Sequence, residues 1–431
     1  MINKFLDFVR VSPTQYQACD NIEKTLNEAG FTKLSESDKW NLSNGGKYYI
    51  TRNNSSVIAF TLPTDLSNLS FNITAAHLDS PTFKLKPNFT IDGAYQKLNT
   101  EVYGGPIFST WMDRPLNIAG RVVLKDEKGI RTVNVSLDDA VCMIPNCSIH
   151  YHRELNNGAK FNPQIDLLPI ISDKSFGSVD IHDLVAKKLG VEKESIISSD
   201  LFLALLDRGM LVGANKEFIM APQIDNLECS FACCQSLINS TNTKSINVCA
   251  LFDAEEIGSR TRSGAASTML DSVLSRVITN LGLTFEDYNI ALANSFIVSA
   301  DNAQGFHPNY AGKFDPTNAS YMNKGVVIKN AARGSYSTDG LSLAYFKSIC
   351  DEVGAKVQLN TNRSDVPGGS TLGCISLGQV SIPSVDIGLP QIAMHSAYET
   401  AGRYDLDELL KALDNFYSKN LNIKDDNHFL F

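Results

Sequence analysis

The sequence predicts an α/β fold: a sheet covered by helices on both faces, interrupted by a β-rich insertion. Three observations carry this expectation. From about residue 220 onward, apolar strand-like runs alternate with helical patterns, the rhythm of a sheet whose connections are helices. From about 87 to 219 the texture changes to short β-rich runs. The chain has 431 residues, too many for one ordinary core, so two domains are the starting expectation.

Ser12-Pro13-Thr14-Gln15 reads as a helix start, with Ser12 as N-cap, Pro13 at the first helical position and Gln15 at the third. Tyr16, Cys19, Ile22 and Leu26 then recur at helical spacing, and Gly30 closes the element. Residues 47–62 read as a hairpin turning at Asn53-Asn54, and 69–77 as a strand that delivers His77 at its end. In the β-rich stretch, runs 117–124 and 131–137 flank a Lys-Asp-Glu-Lys-Gly turn, and Asp180–Leu189 is helical. Beyond 220, strands are expected at 246–252, 295–300, 325–329, 356–360 and 383–388, with helices at 263–279, 338–353, 370–377 and 405–419. The simplest division gives 1–86 and 220–431 to the α/β domain and 87–219 to the inserted β-rich domain.

Composition excludes several classes. The formal net charge is −9, which argues against nucleic acid or an anionic membrane as the main partner. The N-terminus, Met-Ile-Asn-Lys-Phe-Leu-Asp-Phe-Val-Arg, has no basic segment followed by a long apolar run, so no secretory signal is expected. No stretch reaches the ~18 apolar residues of a membrane span. The nine cysteines are scattered without a CxxC and read as reduced thiols of a cytosolic, cytoplasmic protein.

Ligand-type residues stand beside apolar runs in His77-Leu-Asp79, Asp225-Asn226, Asp253-Ala-Glu255-Glu256, Ser299-Ala-Asp301 and Met394-His395. In an open α/β sheet, residues just past the carboxyl ends of strands converge on one crevice, and His77, Glu255, Glu256 and Asp301 sit at such ends. Each alone reads more readily as a turn, cap or structural residue; their joint occurrence points to a site. Histidines mixed with carboxylates suit zinc, manganese or cobalt. Two ions ~3.5–4 Å apart need a shared carboxylate and terminal ligands on each, and the set supplies that count. The neighbours Glu255 and Glu256 cannot both point at one ion, so one is free to move a proton.

The chain resembles the M18 family of metallopeptidases, which includes aspartyl aminopeptidase and the vacuolar aminopeptidase of yeast. The resemblance runs nearly end to end, through Ala75-Ala-His-Leu-Asp-Ser-Pro81, Glu101-Val-Tyr-Gly-Gly-Pro106, Thr110-Trp-Met-Asp-Arg114, Ala221-Pro-Gln-Ile-Asp-Asn-Leu227, Phe252-Asp-Ala-Glu-Glu-Ile-Gly-Ser259, Ser299-Ala-Asp-Asn-Ala303, Phe306-His-Pro-Asn-Tyr310, Arg363-Ser-Asp-Val-Pro-Gly-Gly-Ser-Thr-Leu-Gly373 and Leu389-Pro-Gln-Ile-Ala-Met-His-Ser396. It departs where members often carry histidine in place of Gln304 and glycine in place of Pro106.

The resemblance implies a zinc-peptidase-type α/β/α catalytic domain with an inserted β-rich dimerisation domain, and a two-metal aminopeptidase acting on short peptides. His77 and Asp301 would hold one ion, Glu256 and His395 the other, and Asp225 would bridge them. Glu255 would be the general base, and Asp79 would hydrogen-bond the far nitrogen of His77. His150, in the insertion, would reach a neighbouring subunit's active site, within dimers that build a tetrahedral dodecamer. Lys329, Met394 and His307 are the candidate substrate-binding residues; Lys329 aligns with a lysine that contacts acidic side chains in aspartyl aminopeptidases. Gly368-Gly-Ser-Thr-Leu-Gly373 lacks the GxSxG elbow and reads as a substrate-lining turn with a helix start. The rival readings are a carboxypeptidase or deacylase on the same scaffold and a non-catalytic assembly protein.

Overall fold

The largest sheet has nine strands, in the order Thr32–Lys33, Lys47–Arg52, Ser56–Thr61, Ile246–Phe252, Phe71–His77, Phe296–Ala300, Ser384–Gly388, Val326–Asn330 and Val357–Thr361. This is a computed structural model that describes residues 1–66, 69–207, 209–425 and 428–431. At the centre of the sheet, Ile246–Phe252, Phe71–His77, Phe296–Ala300 and Ser384–Gly388 run parallel, with Phe252 beside His77 and Ser299 beside Ala75. Their carboxyl ends therefore open at one level. Toward the edges the sheet is mixed: the hairpin Lys47–Arg52/Ser56–Thr61, closing at Arg52 and Ser56, and the strand Val326–Asn330 pair antiparallel.

Both faces are covered, and side chains of the central strands alternate between them. Ile73, Ala75, Val248 and Ala250 pack under the helices Met269–Asn280, Phe285–Ala293 and Leu372–Val380. Ala76, Cys249, Leu251 and Val298 pack under Ile2–Val11, Gln15–Glu28, Ile224–Asn239, Gly340–Glu352 and Asp405–Tyr417. Strands buried on both faces have no polar side to show, which is why they read as continuous apolar runs.

A second sheet of six antiparallel strands, Gly129–Ser136, Leu116–Asp126, Ile196–Leu205, Thr82–Ile91, Tyr95–Tyr103 and Ile170–Asp173, has its own core around Phe83, Trp111, Ile118 and Leu203. The helix Ile181–Leu189 packs there, capped by the Asp180 side chain on the His182 amide. A third, five-stranded sheet joins Met210–Val212, Phe218–Ala221, Glu399–Gly402, Pro390–Ile392 and Ala303–Gln304. Among the described residues no helix is long and apolar enough to cross a membrane.

Two expected boundaries move. The helix Gln15–Glu28 is capped by Thr14, whose side chain accepts from the Tyr16 amide, and not by Ser12. Ser12 is instead the C-cap of the preceding helix, Ile2–Val11, with its amide on the Val9 carbonyl. The helix expected from 263 begins at Met269, because Ser263 is tied to Asp253, its carbonyl accepting the Asp253 amide and its hydroxyl donating to Oδ2. The helix Ile224–Asn239 was not expected; it is buried nearly all round, so it lacks the polar face that periodicity detects.

Candidate metal centre

His77 ends the central strand Phe71–His77 and is 1% exposed. Asp225 lies at the start of Ile224–Asn239, where its backbone and that of Asn226 are still non-helical. Its two oxygens face two different histidines: Oδ1 lies 3.5 Å from His77 Nε2, and Oδ2 lies 3.5 Å from His395 Nε2. Asp301, just past Phe296–Ala300, puts Oδ1 3.6 Å from His77 Nε2, and Glu256 puts Oε2 3.4 Å from His395 Nε2. Glu255 Oε2 is 4.0 Å from His77 Nε2. Two donor groups result, His77–Asp225–Asp301 and Asp225–Glu256–His395, each with its atoms within 4.8 Å of one another and both containing Asp225; a further grouping, His77–Glu255–Glu256, brings Glu255 to the same place.

These donors fit divalent cations. Separations of 3.4–3.6 Å are wide for hydrogen bonds, and Asp225 Oδ1 and Glu256 Oε1 are buried without a hydrogen-bond partner, a costly state unless a cation is shared. Both imidazoles place Nδ1 3.1 Å from a backbone carbonyl, that of Asp79 for His77 and that of Gly105 for His395. With Nδ1–H so used, each Nε2 is left to hold a proton or a metal.

The electrostatics follow from crowding acids in a buried place. Burial raises the Glu255 carboxyl to about 7; His77 opposes the rise and the Asp301, Asp79 and Asp225 carboxylates add to it. Burial, with the Asp225 charge, pushes Glu256 well above the carboxylate range. For Asp225 burial acts upward too, but His395 and His77 outweigh it and hold it low. Burial disfavours a charged His77, yet Asp225, Asp301 and Asp79 raise it well above its ordinary value.

Asp79 does more than the sequence reading gave it. Its Oδ1 accepts the Glu255 amide at 3.1 Å, and its Oδ2 accepts the Glu256 amide at 3.2 Å and the Tyr103 hydroxyl at 2.8 Å. The nearest partner of His77 Nδ1 is the Asp79 backbone carbonyl, with the carboxylate at 3.4 Å. The side chain thus mainly pins the turn that carries both glutamates, which follows Ala254 at φ 63°. The six-stranded sheet supplies Tyr103, and beyond it Gly104 and Gly105; a Cβ on Gly104 would come within 3.1 Å of Glu256 Cβ. Glu399 was not anticipated at all: its carboxylate accepts the amides of both Asp225 and His395.

The centre opens into a cavity of about 420 Å³ whose lining includes Glu255, Lys329, Tyr336, Arg363, Thr371 and Met394. Gly368, Gly369 and Ser370 also line it, ahead of the helix Leu372–Val380. Lys329 is only 3% exposed; Nζ donates to the Asn302 carbonyl at 2.9 Å and lies 3.6 Å from Asp301 Oδ2. Met394 Sδ meets Gln304 Nε2 at 3.0 Å on the wall. His307 is not among the lining residues; its Nδ1 accepts the Asn309 amide and its ring meets Tyr310. His150 is exposed in a turn and likewise does not line the cavity. Of the nine cysteines, Cys147 is exposed, Cys374 half-buried and the others buried, all as free thiols.

Known proteins resemble this chain over nearly its whole length. A family model described as aminopeptidase I zinc metalloprotease (M18) matches residues 8–417. A probable M18 family aminopeptidase 2 of Clostridium novyi is 44% identical over 424 residues, covering 96% of this chain and 98% of the relative. Among solved structures, a chain of the Ape4 and Nbr1 complex matches with TM-score 0.93 at 32% identity, over 97% of this chain and 85% of that one. The mApe1 dodecamer of S. cerevisiae matches with TM-score 0.84 at 29% identity, over 97% of this chain and 96% of that one.

Proposed function

The chain belongs to the M18 family and is a metallo-aminopeptidase, a hydrolase of peptide bonds acting at the N-terminus, and from that premise we propose that its centre holds two divalent ions, zinc by preference with manganese or cobalt as substitutes. The observation that carries this is Asp225, whose oxygens face separate histidines, as a carboxylate shared by two ions must. His77 and Asp301 complete one ion's ligands, Glu256 and His395 the other's.

Bound there, the ions supply Lewis acidity toward the scissile carbonyl and lower the pKa of the attacking water. Glu255 takes that water's proton and returns it to the leaving amine. Its carboxyl, raised by burial to about 7, is suited to both transfers near neutrality. Asp79 keeps Glu255 and Glu256 in their separate roles by holding both amides. The carboxylate-rich end of the cavity receives the substrate's free amine, which confines cleavage to the first residue. Lys329 on the lining supports a preference for acidic first residues, because a buried carboxylate needs a cationic partner.

We propose further that the chain works as a homo-oligomer, with the 87–219 segment as its assembly domain, His150 acting across a subunit boundary and dimers building a tetrahedral dodecamer. The S. cerevisiae relative is a dodecamer, and large apolar side chains stand exposed in that segment, among them Tyr151 at 89%, Ile165 at 70% and Phe176 at 90%. A cytosolic location is consistent with nine free thiols.

The test is substrate class. Aminoacyl p-nitroanilides should be hydrolysed and N-acyl amino acids should not. Among the anilides, aspartyl and glutamyl ones should be cleaved faster than leucyl ones; no such difference would remove the acidic preference.

A further inference from the structure

Glu399 is a buried acid, 2% exposed, with no Lys or Arg paired to it among the described residues. Its oxygens are taken by N–H groups instead. Oε2 accepts the Asp225 amide at 2.9 Å; Oε1 accepts the His395 amide at 2.7 Å and Gln391 Nε2 at 3.3 Å. The five-stranded sheet explains how one side chain reaches both. Glu399 opens the strand Glu399–Gly402, opposite Ala221, whose strand leads directly to Asp225. His395 sits in the loop joining Pro390–Ile392 to that same strand.

His395 also has φ 68°, the left-handed region that a non-glycine residue keeps only when its surroundings over-determine it. The 2.7 Å bond from its amide to Glu399 is one such constraint, and the bond of Nδ1 to the Gly105 carbonyl is another. Beyond Glu399, Gln391 Oε1 accepts Asn302 Nδ2 at 2.9 Å, and the Asn302 carbonyl accepts Lys329 Nζ at 2.9 Å. A buried polar chain therefore runs from the amides of Asp225 and His395 to the residue after Asp301.

We propose that Glu399 is a positioning residue of the metal centre: by holding the backbone of Asp225 and His395 with one carboxylate, it sets the bite between the shared ligand and the half-buried histidine. Asp79 does the same for the glutamate turn, so two buried carboxylates fix the backbone of four site residues. The proposal rests on reading Asp225 and His395 as ion ligands.

Two variants separate positioning from folding. In Glu399→Gln the amide retains one oxygen, which the His395 and Gln391 donors already share, so its NH2 faces the Asp225 amide and that bond is lost. Glu399→Asp keeps the carboxyl group but is too short to span both amides. Cobalt(II) binding to the full-length protein, read by dialysis and by the visible spectrum, is compared with the melting temperature of the chelator-treated protein. Both variants should bind cobalt roughly 10–100-fold more weakly, the usual effect of losing an outer partner of a metal ligand, with altered spectra. Their metal-free melting temperatures should stay within about 2 °C of wild type, a small shift for a chain of this length. Wild-type affinity and spectrum in both variants would overturn the proposal, as would weaker binding matched by a larger fall in metal-free melting temperature. Asp225→Ala is the control: if it still binds two cobalt ions, the centre itself is misassigned and the proposal falls with it.

Discussion

Asp225 and Glu255 are both buried acids beside His77, but their neighbours divide their work. Asp225 lies between two imidazoles and is held low, whereas Glu255 is crowded by carboxylates and raised to about 7. Asp225→Ala should lose both ions. Glu255→Gln should keep both while kcat falls ~10²–10⁴-fold, the scale of a lost general base; near wild-type turnover in that variant would reassign the base. Since Glu255, Glu256, His77 and His395 are all raised, the metal-stripped centre holds protons near pH 7 that a cation must expel. Metal affinity should therefore rise with pH across about 6 to 8, by about tenfold per pH unit for each proton released, and calorimetry in buffers of different ionisation heat should register the release. An affinity indifferent to pH would contradict these directions. At Lys329, Lys329→Leu should depress cleavage of Asp and Glu substrates by roughly 2–5 kcal/mol in transition-state binding and spare leucyl substrates. Because Lys329 also lies 3.6 Å from Asp301, an equal loss on both classes would mean that it serves the centre and not the selection of acidic residues.

At the level of elements, the glycine that ends Ser384–Gly388 shows how closely the sheet sets the site. A Cβ there would stand 1.9 Å from the Asp301 carbonyl oxygen, while the Asp301 amide donates to the neighbouring Ile387 carbonyl. Gly388→Ala should cost about 1–3 kcal/mol of stability, as overpacking does, and weaken metal binding by moving Asp301; denaturant midpoints and metal content check both, and an unchanged midpoint would contradict the packing. The strands that present His77 and Asp301 were legible in the sequence because they are short apolar runs ending in ligand residues. Ile224–Asn239 was not, since a helix buried nearly all round has no amphipathic period. Nor was Glu399 legible. Its role comes from the pairing of Glu399 with Ala221, a contact between distant parts of the chain that no local pattern announces. Asp79 was half legible: its closeness to His77 is local, but its grip on Glu255 and Glu256 crosses to the turn after the neighbouring strand, far away in sequence.

At the scale of the whole molecule, the catalytic sheet does not complete the site alone, because Tyr103 and Gly105 reach it from the six-stranded unit. Assembly was legible only through family resemblance; nothing in composition encodes a subunit boundary. If His150 acts across one, subunits carrying His150→Ala mixed with subunits carrying Glu255→Gln should recover activity above either parent after dissociation and reassembly. No recovery, with mixed particles confirmed by mass, would return His150 to its own subunit's surface. The central claim, one carboxylate shared by two ions, is tested most directly by counting zinc per chain in zinc-loaded, gel-filtered protein. Two ions per chain in the wild type, with near-complete loss of both in Asp225→Ala, is the expected result. A single ion per chain, or two that survive removal of Asp225, would contradict the account.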